Sequence, residues 1–347
     1  MKKEVYYPEY LQLDRILGAQ SLESEKNNHV AHDEMLFIIV HQTLELWMKQ
    51  IHFELDSVLV EFQKPTLDDA QTSVLHHRLQ RITEIQKLMA NHFDVLETMT
   101  PLDFLDFRDD LIPASGFQSL QFKQLEKKLG AYKNHTDEMR SYSRSALREE
   151  ERDQFEGDVF SLFDGVEKWL ERNPFLSWQN YSFETSFKEV IETMFAKEKD
   201  LIKNHPFLEK EQKDKEEKNI ENMYQSFLSI FKGRSSGLSK EAFLSALFIH
   251  FYRDHPMLHM PYQILRVLVD IDQNHTAWKQ RHLSMVRKMI GLKMGTGGSS
   301  GQKYLHVSIA QSCIFPELVE LPSYMISRKN LPSLPSDIST ELGFRWR

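Results

Sequence analysis

An all-α fold is predicted from this sequence by three observations. Apolar residues recur at helical spacing through long stretches of the chain. The 13 glycines and 12 prolines fall mostly between those stretches rather than inside them. No convincing run alternates apolar and polar residues as a half-buried strand does.

In chain order, the first long helix is expected over Asp33–Leu55, with Asp33 as N-cap and Glu34 in the first turn, where a carboxylate opposes the positive end of the helix. A second is expected over Leu75–Leu96 and a third over Phe117–Leu129. Gly130 is placed to end the third as the residue that takes the left-handed conformation. Arg144–Asp158 and Lys197–Lys218 mix acidic and basic residues at helical spacing. Within the latter, Glu209–Lys215 reads as a solvated helix or coil. Between these runs, Phe160–Leu170 is an amphipathic helix. Residues 136–240 therefore read as a helical insertion, packed on a core made from both ends of one domain spanning 1–347. Gly233 to Gly237 marks its exit. The tail, with Pro322, Pro332 and Pro335, is expected to wrap the surface. No internal repeat is visible.

Composition narrows the function. The 347 residues suffice for a large core, and 41% hydrophobic with 27% charged residues is ordinary for a globular protein. A net charge of −8 gives no support to nucleic-acid binding. Near the N-terminus the longest apolar run, Met35 to Val40, is too short to span a bilayer, and no secretory leader is visible. No membrane partner is expected. Cys313 is the single cysteine, so no intrachain disulfide can form, which fits a reducing cytoplasmic setting.

Three constellations can carry chemistry. In Phe37-Ile38-Ile39-Val40-His41, Phe37 and His41 share a helix face, so an imidazole sits in an apolar stripe. It is either a buried histidine satisfied by a backbone carbonyl or a functional one. Arg108 has apolar neighbours at 104, 107 and 111; it pairs with Asp106, Asp109 or Asp110, or it clamps a ligand carboxylate. His282 follows Trp278 by one turn, with Val286 and Ile290 on the same face; it is a core residue or a haem axial ligand. The loop Gly295–Gly301 follows directly. A phosphate cradle is a weak reading of it, since no strand precedes it and the G-K-[S/T] ending is absent. No Glu-x-x-His pair supports a carboxylate-bridged di-iron site, and no histidine spacing supports zinc.

Together these segments resemble the tryptophan 2,3-dioxygenase family. The resemblance covers nearly the whole chain: Tyr7 to Asp14, His32 to Glu34, Phe37 to Lys49, Leu96 to Pro101, Asp103 to Gln121, Phe251 to Arg253, Asp270 to Asp272, and His282 to Leu305. It implies a helical haem-binding core of the tryptophan/indoleamine dioxygenase type, in the longer, animal-type form. It implies haem b, ferrous for activity, and cleavage of the indole C2–C3 bond of L-tryptophan by O2. The product would be N-formyl-L-kynurenine, in the first step of tryptophan catabolism by the kynurenine pathway. His282 is then the axial ligand and His41 the distal histidine. Arg108 takes the substrate carboxylate, and Thr296 lies near its ammonium. Phe37, Ile38, Ile39, Val40, Phe104, Leu111, Tyr7, Tyr10 and Leu11 wall the substrate, and Ser115, Gly116, Gly295 and Gly297 lie beside the cofactor. A homotetramer, a dimer of dimers, is implied, with the N-terminal tyrosine segment reaching a neighbour's site. Two positions depart from the pattern: Phe104 stands where shorter members have tyrosine, and Val40 where a polar residue is usual. Rival readings are a haem monooxygenase of the same superfamily acting on a substituted tryptophan, and a non-catalytic haem or tryptophan sensor.

Overall fold

The computed structural model describes residues 4–233, 237–291, 293, 295 and 301–343. Three short helices open the chain, α1 (Tyr7–Leu11), α2 (Leu13–Leu17) and α3 (Glu23–Lys26). They lead into α4 (Glu34–Phe62). Asp33 precedes this helix as expected, yet its side chain caps nothing and its own backbone is helical. The fully buried Glu34 carboxylate turns outward from the helix instead. It accepts the backbone N–H groups of Glu23 and Ser24 at 2.7 and 3.1 Å, tying α3 to the start of α4. The helix runs beyond Leu55 because Val58, Leu59 and Phe62 prolong its buried face.

Helix α5 (Asp69–Leu96) starts earlier than Leu75, where Asp68 and Gln71 form a reciprocal capping box. Next comes α6 (Pro101–Arg108), boxed by Thr100 and Asp103, with a proline in its first turn. Two single 3₁₀ turns follow, Asp109–Leu111 and Gly116–Gln118. The helix expected from Phe117 begins only at Leu120, because the Ser119 hydroxyl caps it there; this is α7 (Leu120–Leu129). Gly130 ends it with φ +102°, where a Cβ would lie 2.6 Å from Phe163 Cβ.

Helices α8 (Asp137–Ser145), α9 (Glu149–Phe155) and α10 (Leu162–Glu171) follow. Gly165 lets α10 lie directly on Phe62 of α4; a Cβ there would meet the Phe62 side chain at 2.9 Å. A small antiparallel hairpin, β1 (Ser177–Trp178) with β2 (Tyr181–Ser182), was not expected; its two-residue strands are too short to show alternation. Then come α11 (Phe183–Lys203), α12 (Lys210–Lys232), α13 (Lys240–Phe251) and α14 (Pro256–Ile290), and the chain closes with α15 (Gly301–Ala310), α16 (Pro316–Glu320) and α17 (Ser336–Glu341).

Helices α4, α5 and α14 form the centre. Arg81 of α5 reaches the buried Glu54 of α4 at 2.6 Å. Gln86 and Asp94 of α5, and Glu97 just after its end, meet Ile271, Arg281 and Lys288 of α14 in rising order, so these two helices run parallel. From Ala242 to Ile249, helix α13 is mostly apolar and buried on every side. The tail does more than wrap the surface. Ile314, Phe315, Leu318, Leu321, Ile338 and Leu342 are all buried. The buried Asp272 carboxylate of α14 accepts the N–H groups of Ile314 at 3.0 Å and Phe315 at 2.9 Å, pinning the tail's start to the central helix.

Candidate active site

Helices α4 and α14 each send one histidine into the same cavity. His41 lies one turn after Phe37, and the two rings are 4.1 Å apart. Phe104 and Phe107 of α6 close this corner, their centroids 5.7 and 5.6 Å from Phe37. His41 Nδ1 lies 2.7 Å from the Phe37 carbonyl oxygen. A carbonyl only accepts, so Nδ1 carries the proton and Nε2 is left as the acceptor of the neutral ring. Burial lowers the His41 pKa; the Phe37 carbonyl and the Glu45 charge oppose this without reversing it. The sequence offered a carbonyl-satisfied histidine and a functional one as alternatives. The geometry allows both, because one nitrogen serves each purpose.

His282 comes from the last third of α14. Its ring stacks with Trp278, one turn earlier, at 5.4 Å, and with Phe93 of α5 at 5.9 Å. The ring makes no hydrogen bond with any described residue. Burial first, and then the neighbouring His41, push its pKa down to about 4, so it is neutral at physiological pH with a free lone pair.

Both histidines line two adjoining lobes of one cavity. Phe37, Met99, Phe104, Met289 and Ile290 make the first lobe largely apolar, and Arg108 supplies its charge. Arg108 ends α6 and contacts Asp109 at 3.1 Å. That carboxylate is 83% exposed, so the contact is a solvated one that a ligand carboxylate can replace. The second lobe is walled by Phe93, Phe122 and Trp278, and four charged side chains line it as well: Glu45, Lys123, Glu126 and Lys279. The buried Trp278 Nε1–H has no hydrogen-bond partner among the described residues.

These features fit a porphyrin. The cavity is lined by aromatic rings and methionines, and the neutral imidazole of His282, which makes no hydrogen bond with any described residue, faces it. Among the described residues no group of three or more His, Cys, Asp or Glu is arranged to hold a bare metal ion. A metal carried in a macrocycle needs only one such protein ligand. Room exists at Gly116 as well, where a Cβ would meet nothing within 4 Å.

Of the residues singled out in the sequence, the cavity gathers Phe37, His41, Phe104, Arg108, Ser115, Gly116, His282 and Gly295. It does not gather Ile38, Ile39, Val40 or Leu111. Val40 is buried in the helical core, Ile39 is exposed, and Leu111 packs against the core. Tyr7 and Tyr10 are exposed in α1, and Leu11 is half-buried. Thr296 and Gly297 lie outside the described residues. The charged trio Lys123, Glu126 and Lys279 was missed. So were Leu96, Met285 and Leu305. No helix among the described residues is long and apolar enough to cross a membrane.

A family model described as tryptophan 2,3-dioxygenase matches residues 1–325. The chain is 44% identical to the tryptophan 2,3-dioxygenase of Bdellovibrio bacteriovorus, over 99% of both chains. It is 41% identical to that of Alteromonas mediterranea, again over 99% of both. With that of Dictyostelium discoideum it shares 40% identity over 99% of this chain and 90% of the other.

Proposed function

The chain belongs to the tryptophan 2,3-dioxygenase family, and from that premise we propose that it holds haem b through His282 and oxidises L-tryptophan to N-formyl-L-kynurenine. The observation that carries this reading is the pair of neutral imidazoles, one from α4 and one from α14, lining one apolar cavity with a guanidinium at its edge.

When bound, ferrous haem supplies the activation of dioxygen, and both oxygen atoms enter the product as the indole C2–C3 bond breaks. The chain supplies placement. Arg108 receives the substrate carboxylate as a charge-assisted, two-point contact, which its fork geometry suits. Phe37 and Phe104 flank the indole on its apolar faces. His41 accepts the indole N–H through Nε2, because Nδ1 is committed to the Phe37 carbonyl. This hydrogen bond orients the ring. It does not deprotonate it, since an indole N–H is far too weak an acid for imidazole. Holding C2–C3 in one orientation converts an encounter into a near-unimolecular step. Thr296, near the substrate ammonium, belongs to the same proposal.

The assembly we propose is a homotetramer in which the exposed Tyr7 and Tyr10 meet a neighbouring copy. A reducing, cytoplasmic setting is supported by the single cysteine, Cys313. The deciding experiment is reconstitution with haem, anaerobic reduction, then addition of tryptophan and 18O2. Formylkynurenine absorbance with both oxygens labelled is expected. A product carrying one labelled oxygen, or none formed by a haem-loaded chain, would overturn the reading.

A further inference from the structure

Four charged side chains line the second lobe, Glu45, Lys123, Glu126 and Lys279; the Glu45 carboxylate accepts from the Gln121 amide at 2.7 Å and makes no ion pair with Lys123. Lys123, in the first turns of α7, is 4% exposed and lines this lobe together with His282 and His41. An ammonium has three protons to place. One goes to the Phe117 carbonyl. Lys123 forms no ion pair with a carboxylate of the described residues. Glu126, one turn further along α7, is already engaged: Lys279 of α14 makes a direct ion pair with it, and His275 and His135 crowd the same oxygen at 3.7 and 4.0 Å. Burial lowers the pKa of both these histidines, which favours their neutral forms. Glu126 and Lys279 cancel. Lys123 is left over. Burial lowers its pKa to about 8, with the Glu126 and Glu151 charges opposing, so it remains mostly protonated at neutral pH.

A buried cation without a counter-ion is unfavourable, and a site that keeps one is built for an anion. Arg108 stands in the other lobe, so the two cations line separate lobes. Tyr304 lines the second lobe too; burial keeps its phenol protonated, and its O–H lies 3.3 Å from Ser143 Oγ.

We propose that Lys123 is the counter-ion for a propionate arm of the porphyrin, with the Tyr304 hydroxyl beside it as a second donor. This rests on the functional reading above and assigns one further residue to it. Arg108, which lines the other lobe, keeps its proposed role toward the substrate carboxylate.

The test compares haem with its dimethyl ester, which has the same ring but no carboxylates. Haem-free chain is titrated with each, followed by Soret absorbance, and loss of each to excess apomyoglobin is timed. For wild type, haem should leave about tenfold or more slowly than the diester, the usual weight of one charge-assisted hydrogen bond. Lys123→Met should remove that difference, leaving diester binding unchanged, and Lys123→Arg should restore it. Should Lys123→Met not fold, the wild-type and Lys123→Arg comparisons of the two porphyrins decide alone. Equal weakening of both porphyrins in Lys123→Met, or a wild type indifferent to esterification, overturns the assignment. A wild type that takes up neither porphyrin overturns the proposed function itself.

Discussion

Replacing Glu126 by glutamine tests whether the charged lining of the second lobe is held together as described. Glu126 is 2% exposed and Lys279 1%. Removing the negative partner leaves the Lys279 ammonium buried, with the Ser308 carbonyl at 3.3 Å as its remaining acceptor. Breaking a buried pair in this way costs about 3–5 kcal/mol. A glutamine amide oxygen still accepts one hydrogen bond, so the lower end, about 3 kcal/mol, is expected. With an unfolding entropy of about 2 cal/mol/K per residue, that lowers Tm by about 4 °C in a chain of this size. The effect carries a pH signature. Burial pushes the Glu126 carboxyl up, but the Lys279 ammonium paired with it, helped by the imidazoles of His275 and His135 beside the same oxygen, outweighs this and holds it well below the usual carboxylate range. A depressed carboxylate stabilises the fold above its unfolded pKa, and the contribution is lost as pH falls through the folded value. The gap between wild type and Glu126→Gln should therefore be constant from about pH 7 to 5 and narrow below about 4.5, the range where a free carboxyl titrates. Thermal unfolding followed by circular dichroism at pH 7, 5.5 and 4 measures it. A Glu126→Gln variant within about 1 °C of wild type at pH 7, or a gap that does not narrow in acid, refutes the account. The double variant Glu126→Gln/Lys279→Met should lose less than the two single variants combined, because no unpaired charge is left.

Other outcomes follow from the same geometry. His282→Ala should fail to retain haem, and a purified variant with full Soret absorbance contradicts the ligand assignment. Arg108→Leu should lower kcat/KM for tryptophan by about 10–100-fold, mainly through KM, while the ratio for tryptamine, which lacks the carboxylate, changes little; an unchanged tryptophan KM excludes the clamp. His41→Ala should bind haem and keep part of its activity, and complete loss would make the histidine an obligatory base. Because burial lowers the His41 pKa, the wild-type pH profile should stay flat from about pH 8 down past 6.5, the ordinary histidine value; a break centred at or above that value counts against a neutral His41. Gly130→Ala should destabilise the fold by about 1–3 kcal/mol, because φ is +102° and the new methyl would sit 2.6 Å from Phe163 Cβ; a neutral melt excludes the strain.

The helical skeleton was legible because burial writes itself into spacing. The apolar faces of α4, α5, α7 and α10 each appear as a stripe, and the Gly130 terminator is a local necessity. Helix ends were less legible. Asp33 looks like a cap in sequence, but the contact that matters is Glu34 reaching back to α3, across a turn that spacing does not reveal. The tail was misjudged for a related reason. Its prolines are conspicuous, whereas its buried Ile314, Phe315 and Leu321 stand singly, without a period. In the site, His41 and His282 stood out as polar residues in apolar stripes. Glu126 and Lys279 obey the same rule, yet lysine and glutamate on a helix are ordinarily read as its wet face. Only the packing of α7 against α14 shows that both point inward. Tyr7 and Tyr10 do not line the cavity within a single copy, so the place proposed for them against a neighbour cannot be read from one chain.

The docking of Ile314 and Phe315 onto Asp272 has a consequence for biosynthesis. His41 leaves the ribosome early, whereas its counterpart on α14 emerges only after most of the chain. Even then the back of that helix stays uncovered until the residues beyond 313 are translated. A nascent polypeptide therefore cannot complete this site cofactor-first, and a message truncated shortly after α14 should yield a chain that exposes apolar surface and is cleared by quality control.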